Sequence, residues 1–226
     1  MAGTMVDFRG NGRTASGYLA APANASGPGV VVVQEWWGLV EHIKDVADRF
    51  AAEGFVALAP DLYHGGLARS PDEAKKLRMA LDIARAGTEL RDAAAYLLAH
   101  DAVRPKNVGV VGFCMGGQLA LFAAAEHGDV LSAAVDFYGL HSSVEVDASK
   151  VRVPVLAHFG RHDQGLPEAQ ARALVARLRG AGAAIDAYYY DAGHAFFNDA
   201  RPQAYDEESA ALAWTRTVQF LRRHLA

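Results

Sequence analysis

The chain carries a single cysteine, Cys114, inside "VGVVGFCMGGQLA" (108–120), with Gly112, Gly116 and Gly117 around it. G-x-C-x-G is the thiol form of a nucleophile elbow, in which small flanking residues permit a strained turn that lifts a reactive atom above a sheet. A helix opening near Met115 would place its N-terminal dipole beside the thiol and favour the thiolate. The backbone N–H of Met115 would then face a developing oxyanion. Two other glycine-rich chemistries do not fit. Gln118 and Leu119 stand where a phosphate loop needs Lys and Ser or Thr, and the G-x-G-x-x-G spacing is absent. A glycine-flanked cysteine taken alone remains as compatible with an inert buried thiol as with a nucleophile.

A thiol nucleophile needs a base and a group that orients the base. Downstream, Asp163 lies in "HFGRHDQGLP" and His194 in "YYYDAGHAFF", each just after an apolar run. The chain order nucleophile, acid, histidine is that of an α/β-hydrolase triad. A metal reading of His158, His162 and Asp163 is disfavoured, because alternate strand positions and an exposed turn do not converge on one ion. No metal and no organic cofactor is expected.

The elements that must position these residues follow from the hydrophobic pattern. Alternating residues in Met5–Arg9 and Thr14–Ala20 around "GNGR" predict a hairpin at a sheet edge. Buried strands are expected at 29–34, 55–60, 107–112, 131–137, 153–158 and 184–190, since β-branched runs bounded by turn residues suit a sheet covered on both faces. Helical spacing covers 39–53, 71–86, 88–100, 167–181 and 203–225, with Ser70 as cap and Pro71 as first helical residue of the second. "PANASGPG" reads as a loop. Strands alternating with crossover helices predict an α/β fold with a mainly parallel sheet of about eight strands, flanked by helices on both faces. Cys114, Asp163 and His194 all fall after the C-terminal ends of strands, where sites of open α/β sheets form.

Composition sets the outer bounds. The 226 residues are 51% hydrophobic and 21% charged, enough for a large core in one domain spanning 1–226. A net charge of -4 with scattered basic residues gives no footprint for nucleic acid or an anionic membrane. One cysteine excludes an internal disulfide, the first residues lack a secretory apolar core, and no apolar run spans a bilayer. A cytoplasmic protein is therefore expected.

"VVVVQEWWGL", "GFVALAPDLYHG", "VGVVGFCMGGQLA", "DFYG", "HFGRHDQGLP" and "AGHAFFNDARPQAYDEESAALAWTRTVQFL" together resemble the dienelactone hydrolase family of α/β-hydrolases over nearly the whole length. The resemblance implies the α/β-hydrolase fold, a monomer, and hydrolysis of a small ester or enol-lactone through a thioester. By the same resemblance Cys114 is the nucleophile, His194 the general base and acid, and Asp163 its orienter. Glu35 takes part in controlling the protonation of the thiol, a role that would shield the thiolate from oxidation. The alternative for Glu35 is a buried carboxylate paired with an arginine. The N–H of Trp36 is the second oxyanion donor, and Trp37, Tyr63, Tyr138, Phe196 and Asn198 are candidates for the substrate pocket.

The resemblance also implies arginines for a substrate carboxylate, one of them four residues after the histidine. That position here is Asn198, and Ala195 stands where a hydroxyl side chain is expected. Arg201, Arg69, Arg78 and Arg85 are the remaining candidates for an anion. A general carboxylesterase of the same family is thus the alternative to a true dienelactone hydrolase. From other classes, a non-catalytic ligand-binding protein and a thiol redox sensor remain.

Overall fold

The computed structural model describes residues 2–10, 12–23, 25–139, 141 and 144–226. The "GNGR" turn and the "PANASGPG" loop contain Asn11 and Asn24, which lie outside the described residues. Eight strands form one sheet: β1 (Thr4–Gly10), β2 (Arg13–Ala20), β3 (Gly27–Val33), β4 (Val56–Pro60), β5 (Val103–Phe113), β6 (Ala133–Phe137), β7 (Val155–Gly160) and β8 (Ile185–Tyr190). Their spatial order is β1-β2-β4-β3-β5-β6-β7-β8. β1 and β2 form the expected edge hairpin, β2 runs antiparallel to β4, and every later pairing is parallel.

The valine run of β3 shows why the sheet is buried on both faces. Val31 and Val33 belong to one core cluster and Val30 and Val32 to the other, as the two-residue period of a strand requires. Helices α1 (Glu41–Ala52) and α6 (Glu207–Leu225) cover one face, contributing Ile43, Val46, Phe50, Ala213 and Leu221. Helices α3 (Ile83–Ala99), α4 (Met115–Glu126) and α5 (Glu168–Gly180) cover the other with Leu90, Leu97, Leu119 and Leu174. Helix α2 (Pro71–Ala80) is mostly exposed and buries only Ala74.

Most element boundaries fall within two residues of the sequence expectation, and the larger differences have local causes. Helical spacing runs on past residue 80, yet α2 stops at Ala80 because Asp82 accepts the Arg85 N–H at 3.0 Å and starts α3 as its cap. The strand expected from Asn107 begins at Val103, since Val103 pairs with Gly27 despite Pro105. The last helix begins at Glu207 rather than Gln203, because Asp206 accepts the Ser209 N–H at 2.9 Å and fixes the first turn. Among the described residues no helix is long and apolar enough to cross a membrane.

Candidate active site

Cys114 occupies the one-residue junction between β5 and α4 with φ +54° and ψ -119°. A left-handed φ strains a non-glycine residue, and such strain persists only when its surroundings enforce it. The Cys114 N–H donates to the Phe137 carbonyl at 3.0 Å, and the Cys114 carbonyl accepts the Gly117 N–H at 3.0 Å. Both flanking glycines are required by close approach. A Cβ on Gly112 would run into the Gly116 carbonyl, and one on Gly116 into the carbonyls of Val33 and Gln34. The first turn of α4 is therefore pressed against the end of β3 and the start of the loop that follows it. Met115, first in its helix, has no intrahelical acceptor for its N–H.

The structure brings Cys114, His194 and Asp163 together. His194 Nε2 lies 3.2 Å from Cys114 Sγ, and His194 Nδ1 lies 2.6 Å from Asp163 Oδ2. Asp163 was expected on an exposed turn, but it is buried, and its other oxygen accepts the N–H groups of Gly165 and Leu166 at 2.8 and 2.9 Å. Those bonds fix its orientation, as an Asx turn does. The turns after β7 and β8 are joined by backbone bonds, Arg161 N–H to the Tyr190 carbonyl at 2.8 Å and His162 N–H to the Ala192 carbonyl at 3.0 Å. Acid and imidazole are thus carried on one braced unit. Burial alone would lower the proton affinity of His194; hydrogen bonds to Asp163 and Cys114, with their charges, outweigh it and push the value up to about 10.

Other acidic groups are engaged elsewhere. Asp191 faces His162 at 2.5 Å, and Asp136 accepts the Gly139 N–H at 2.7 Å. Burial pushes Asp136 up to about 8, so it is largely neutral at pH 7. His158 bonds to Tyr190 and Thr217 at 2.8 and 3.0 Å, so His158, His162 and Asp163 have three separate sets of partners. Among the described residues no group of three or more His, Cys, Asp and Glu is arranged to hold a metal.

Glu35 is buried, 1% exposed, and burial raises its carboxyl against the opposing influences of His42, Asn198, His194 and Arg201. Its hydrogen-bond partner is Asn198, whose Nδ2 donates to Oε2 at 2.6 Å, rather than an arginine. Asn198, a candidate for the pocket, is only 2% exposed and is engaged with Glu35 through this bond. Phe196 is also fully buried, its ring 5.3 Å from Tyr138 and 5.1 Å from Tyr190, so it supports Tyr138 from behind. Tyr138 in turn stands edge-on to His194 with centroids 5.1 Å apart. Tyr63 reaches the elbow, its hydroxyl 3.4 Å from Met115 Sδ, and burial followed by the charge of Cys114 keeps the phenol protonated.

The half-buried indoles of Trp36 and Trp37 meet at 68° and carry Arg78 at 5.8 Å and Arg201 at 4.1 Å over their faces. Of the other candidate arginines, Arg85 is held by Glu89 at 2.8 Å, and nothing in the structure assigns Arg69 to the site. Sequence reasoning did not single out His42 or Asp199, which pair at 3.0 Å next to Asn198. The available signal was a histidine on the apolar stripe of α1, seven residues after Glu35.

An eight-stranded, mostly parallel sheet flanked by helices, with a strained turn at Cys114 after a central strand, is the α/β-hydrolase fold, and the match to the dienelactone hydrolase family makes the chain a carboxylic ester hydrolase. Residues 15–225 match the dienelactone hydrolase family, and the chain belongs to that family. Protein usf of Aquifex pyrophilus is 36% identical over 230 residues, covering 99% of both chains. A carboxymethylenebutenolidase from Pseudomonas sp. is 34% identical, covering 98% of this chain and 94% of its own. A crystal structure of a dienelactone hydrolase-like promiscuous phosphotriesterase from metagenomic libraries superposes with a TM-score of 0.85 at 26% identity, covering all of both chains.

Proposed function

We propose that this ester hydrolase cleaves small esters or lactones through Cys114 as nucleophile, His194 as base and acid, and Asp163 as the residue that orients the imidazole. The reading rests chiefly on the continuous line from Asp163 Oδ2 through His194 to Cys114 Sγ, 2.6 and 3.2 Å long. Cys114 gives its thiol proton to His194, the substrate carbonyl sits between the N–H groups of Trp36 and Met115, and the thiolate attacks its carbon. The tetrahedral oxyanion collapses to a thioester and expels an alkoxide, which takes a proton from His194. The imidazole next removes a proton from water, the hydroxide adds to the thioester carbonyl, and the acid product leaves as the thiolate is restored.

An enol-lactone suits a thiol because its enolate leaves readily. A general carboxylesterase activity is the second reading, favoured by the engagement of Asn198 with Glu35 and of Arg201 with Trp37. Hydrolysis of p-nitrophenyl acetate and of an enol-lactone by wild type and Cys114→Ala tests the mechanism. Wild type is expected to turn over at least one of them and to show an acyl adduct on Cys114 by rapid-quench mass spectrometry, and Cys114→Ala to do neither. Equal rates in the two proteins would overturn it.

A further inference from the structure

Strand β6 carries a carboxyl group that the reaction as described does not use. Asp136 is fully buried, and its partners across the sheet are Gly112 of β5 and Ala157 of β7. Its Oδ1 accepts the Gly139 N–H at 2.7 Å and fills the space that a Cβ on Gly117 or on Gly139 would need. A Cβ on Gly139 would also meet the backbone of Gly117 and Gln118. The carboxyl is thus wedged where the first turn of α4 meets the turn that follows β6. Among the described residues its other oxygen, Oδ2, is buried without a hydrogen-bond partner. A polar group buried in this way costs free energy that an apolar residue between Gly112 and Ala157 would avoid.

The turn held by Asp136 carries Tyr138 against the proposed base. Tyr138 has φ +43°, a left-handed conformation that strains a non-glycine residue and persists only where its surroundings enforce it. Before the strained residue the chain is tied by the Cys114 N–H, which donates to the Phe137 carbonyl at 3.0 Å. The Tyr138 N–H itself donates to the His158 carbonyl at 2.8 Å. After it, the tie is the bond from Gly139 to Asp136. The path from carboxyl to imidazole is therefore short: Asp136 holds Gly139, Gly139 closes the turn at Tyr138, and the Tyr138 ring stands 5.1 Å from that of His194.

We infer that Asp136 is a positioning residue that locks the strained turn after β6 and, through Tyr138, sets the place of the His194 imidazole. The inference rests on the proposed role of His194 as base. The lock works with the acid in its neutral form, which burial preserves up to about pH 8. The groups packed against it are Gly112 of β5, Ala157 of β7, Gly117 and Gln118 of α4, and Gly139 of the turn, none of them titratable, and among the described residues no charged side chain acts on it. An ionised carboxyl would put charge on Oδ2, where no donor meets it, and the turn must open to hydrate that charge. Tyr138 then no longer confines the imidazole.

The test is hydrolysis of p-nitrophenyl acetate between pH 6 and 9.5 by wild type, Asp136→Asn, Asp136→Leu, Tyr138→Ala and the Asp136→Leu/Tyr138→Ala double variant. Asp136→Asn keeps an oxygen for the Gly139 N–H and cannot ionise. Its kcat is expected within about twofold of wild type at pH 6.5, and the ratio of its kcat to that of wild type to rise about tenfold by pH 9, where about nine-tenths of wild type is ionised. Asp136→Leu offers Gly139 no acceptor, and kcat at pH 6.5 is expected to fall about 30-fold with KM nearly unchanged, in line with the loss of up to about 10²-fold for a 1 Å misplacement. In the Tyr138→Ala background the same substitution is expected to change kcat less than about twofold, which a general loosening of the core would not produce.

A ratio that stays level from pH 6.5 to 9, or an undiminished loss in the Tyr138→Ala background, would overturn the role of Asp136. If Asp136→Leu does not fold, the pH ratio of Asp136→Asn decides alone. His194→Gln is measured alongside. Wild-type kcat in that variant would instead overturn the reading of His194 as base, so the two failures are distinguishable.

Discussion

Of the three aspartate–histidine pairs at the turn after β8, His162–Asp191 lies at the surface, and the other two have inverted burial. In Asp163–His194 the carboxylate is 1% exposed and the imidazole 37%, whereas in Asp199–His42 the imidazole is 1% exposed and the carboxylate 44%. The hydrogen bonds differ little, 2.6 against 3.0 Å. What differs is which member of the pair a substrate can meet. An accessible imidazole backed by a buried, fixed acid can move protons to and from a reacting group, while a buried imidazole backed by a solvated acid can only act on its protein neighbours.

The largest expected effect separates the two acids directly. Asp163→Asn leaves the shape of the pair but offers the imidazole the wrong partner, and kcat for p-nitrophenyl acetate at pH 7 is expected to fall roughly 10⁴-fold. Asp199→Asn is expected to change the same rate by less than about threefold at that pH, because its imidazole does not reach substrate. Comparable losses in both variants would end the distinction between the pairs.

A smaller effect concerns Asp136, a buried carboxylate with no imidazole at all. Its value is raised from 3.8 to about 8, so the folded protein holds a proton that the unfolded chain releases. Stability from this group is present below pH 3.8 and lost as pH rises to about 8. Asp136→Asn, which keeps an oxygen for the Gly139 N–H, is expected to raise the melting temperature by about 2–5 °C at pH 9 and less at pH 5. A variant no more stable than wild type at pH 9 would show that the site needs the charge.

The smallest effect is on the accessible imidazole. His194 is raised from 6.5 to about 10, so its stabilising contribution is complete below pH 6.5 and lost as pH rises through 10. Solvent screening at a residue so exposed keeps this small. The melting temperature of wild type is expected to fall about 1–2 °C more than that of His194→Gln between pH 6.5 and 10. Parallel curves would mean that Asp163 gives His194 orientation without charge stabilisation.

The strands and the meeting of Cys114, Asp163 and His194 were legible because each has a local signature: β-branched runs, glycines around a cysteine at a strand–helix junction, and polar residues just past strand ends. The break between α2 and α3 was less visible, since apolar spacing continues through Leu81 and only the Asp82 cap marks it. The bond between Asn198 and Glu35 was not visible because it spans 163 positions. His42 was hidden for the same reason, its partner lying 157 residues away. Local pattern locates the candidate site residues, while long-range contacts decide which neighbours they meet.

The sheet order has a further consequence. Cys114 is anchored on β5 between β3 and β6, while His194 follows β8, which ends the sheet. Edge strands fray before central ones. On heating, the imidazole is expected to drift from a thiol that is still in place, so ester hydrolysis should fade at a temperature where far-UV circular dichroism is unchanged, and cooling should restore it. The working temperature ceiling of this enzyme is then expected to be set by the hold on edge strand β8 rather than by the melting of its core.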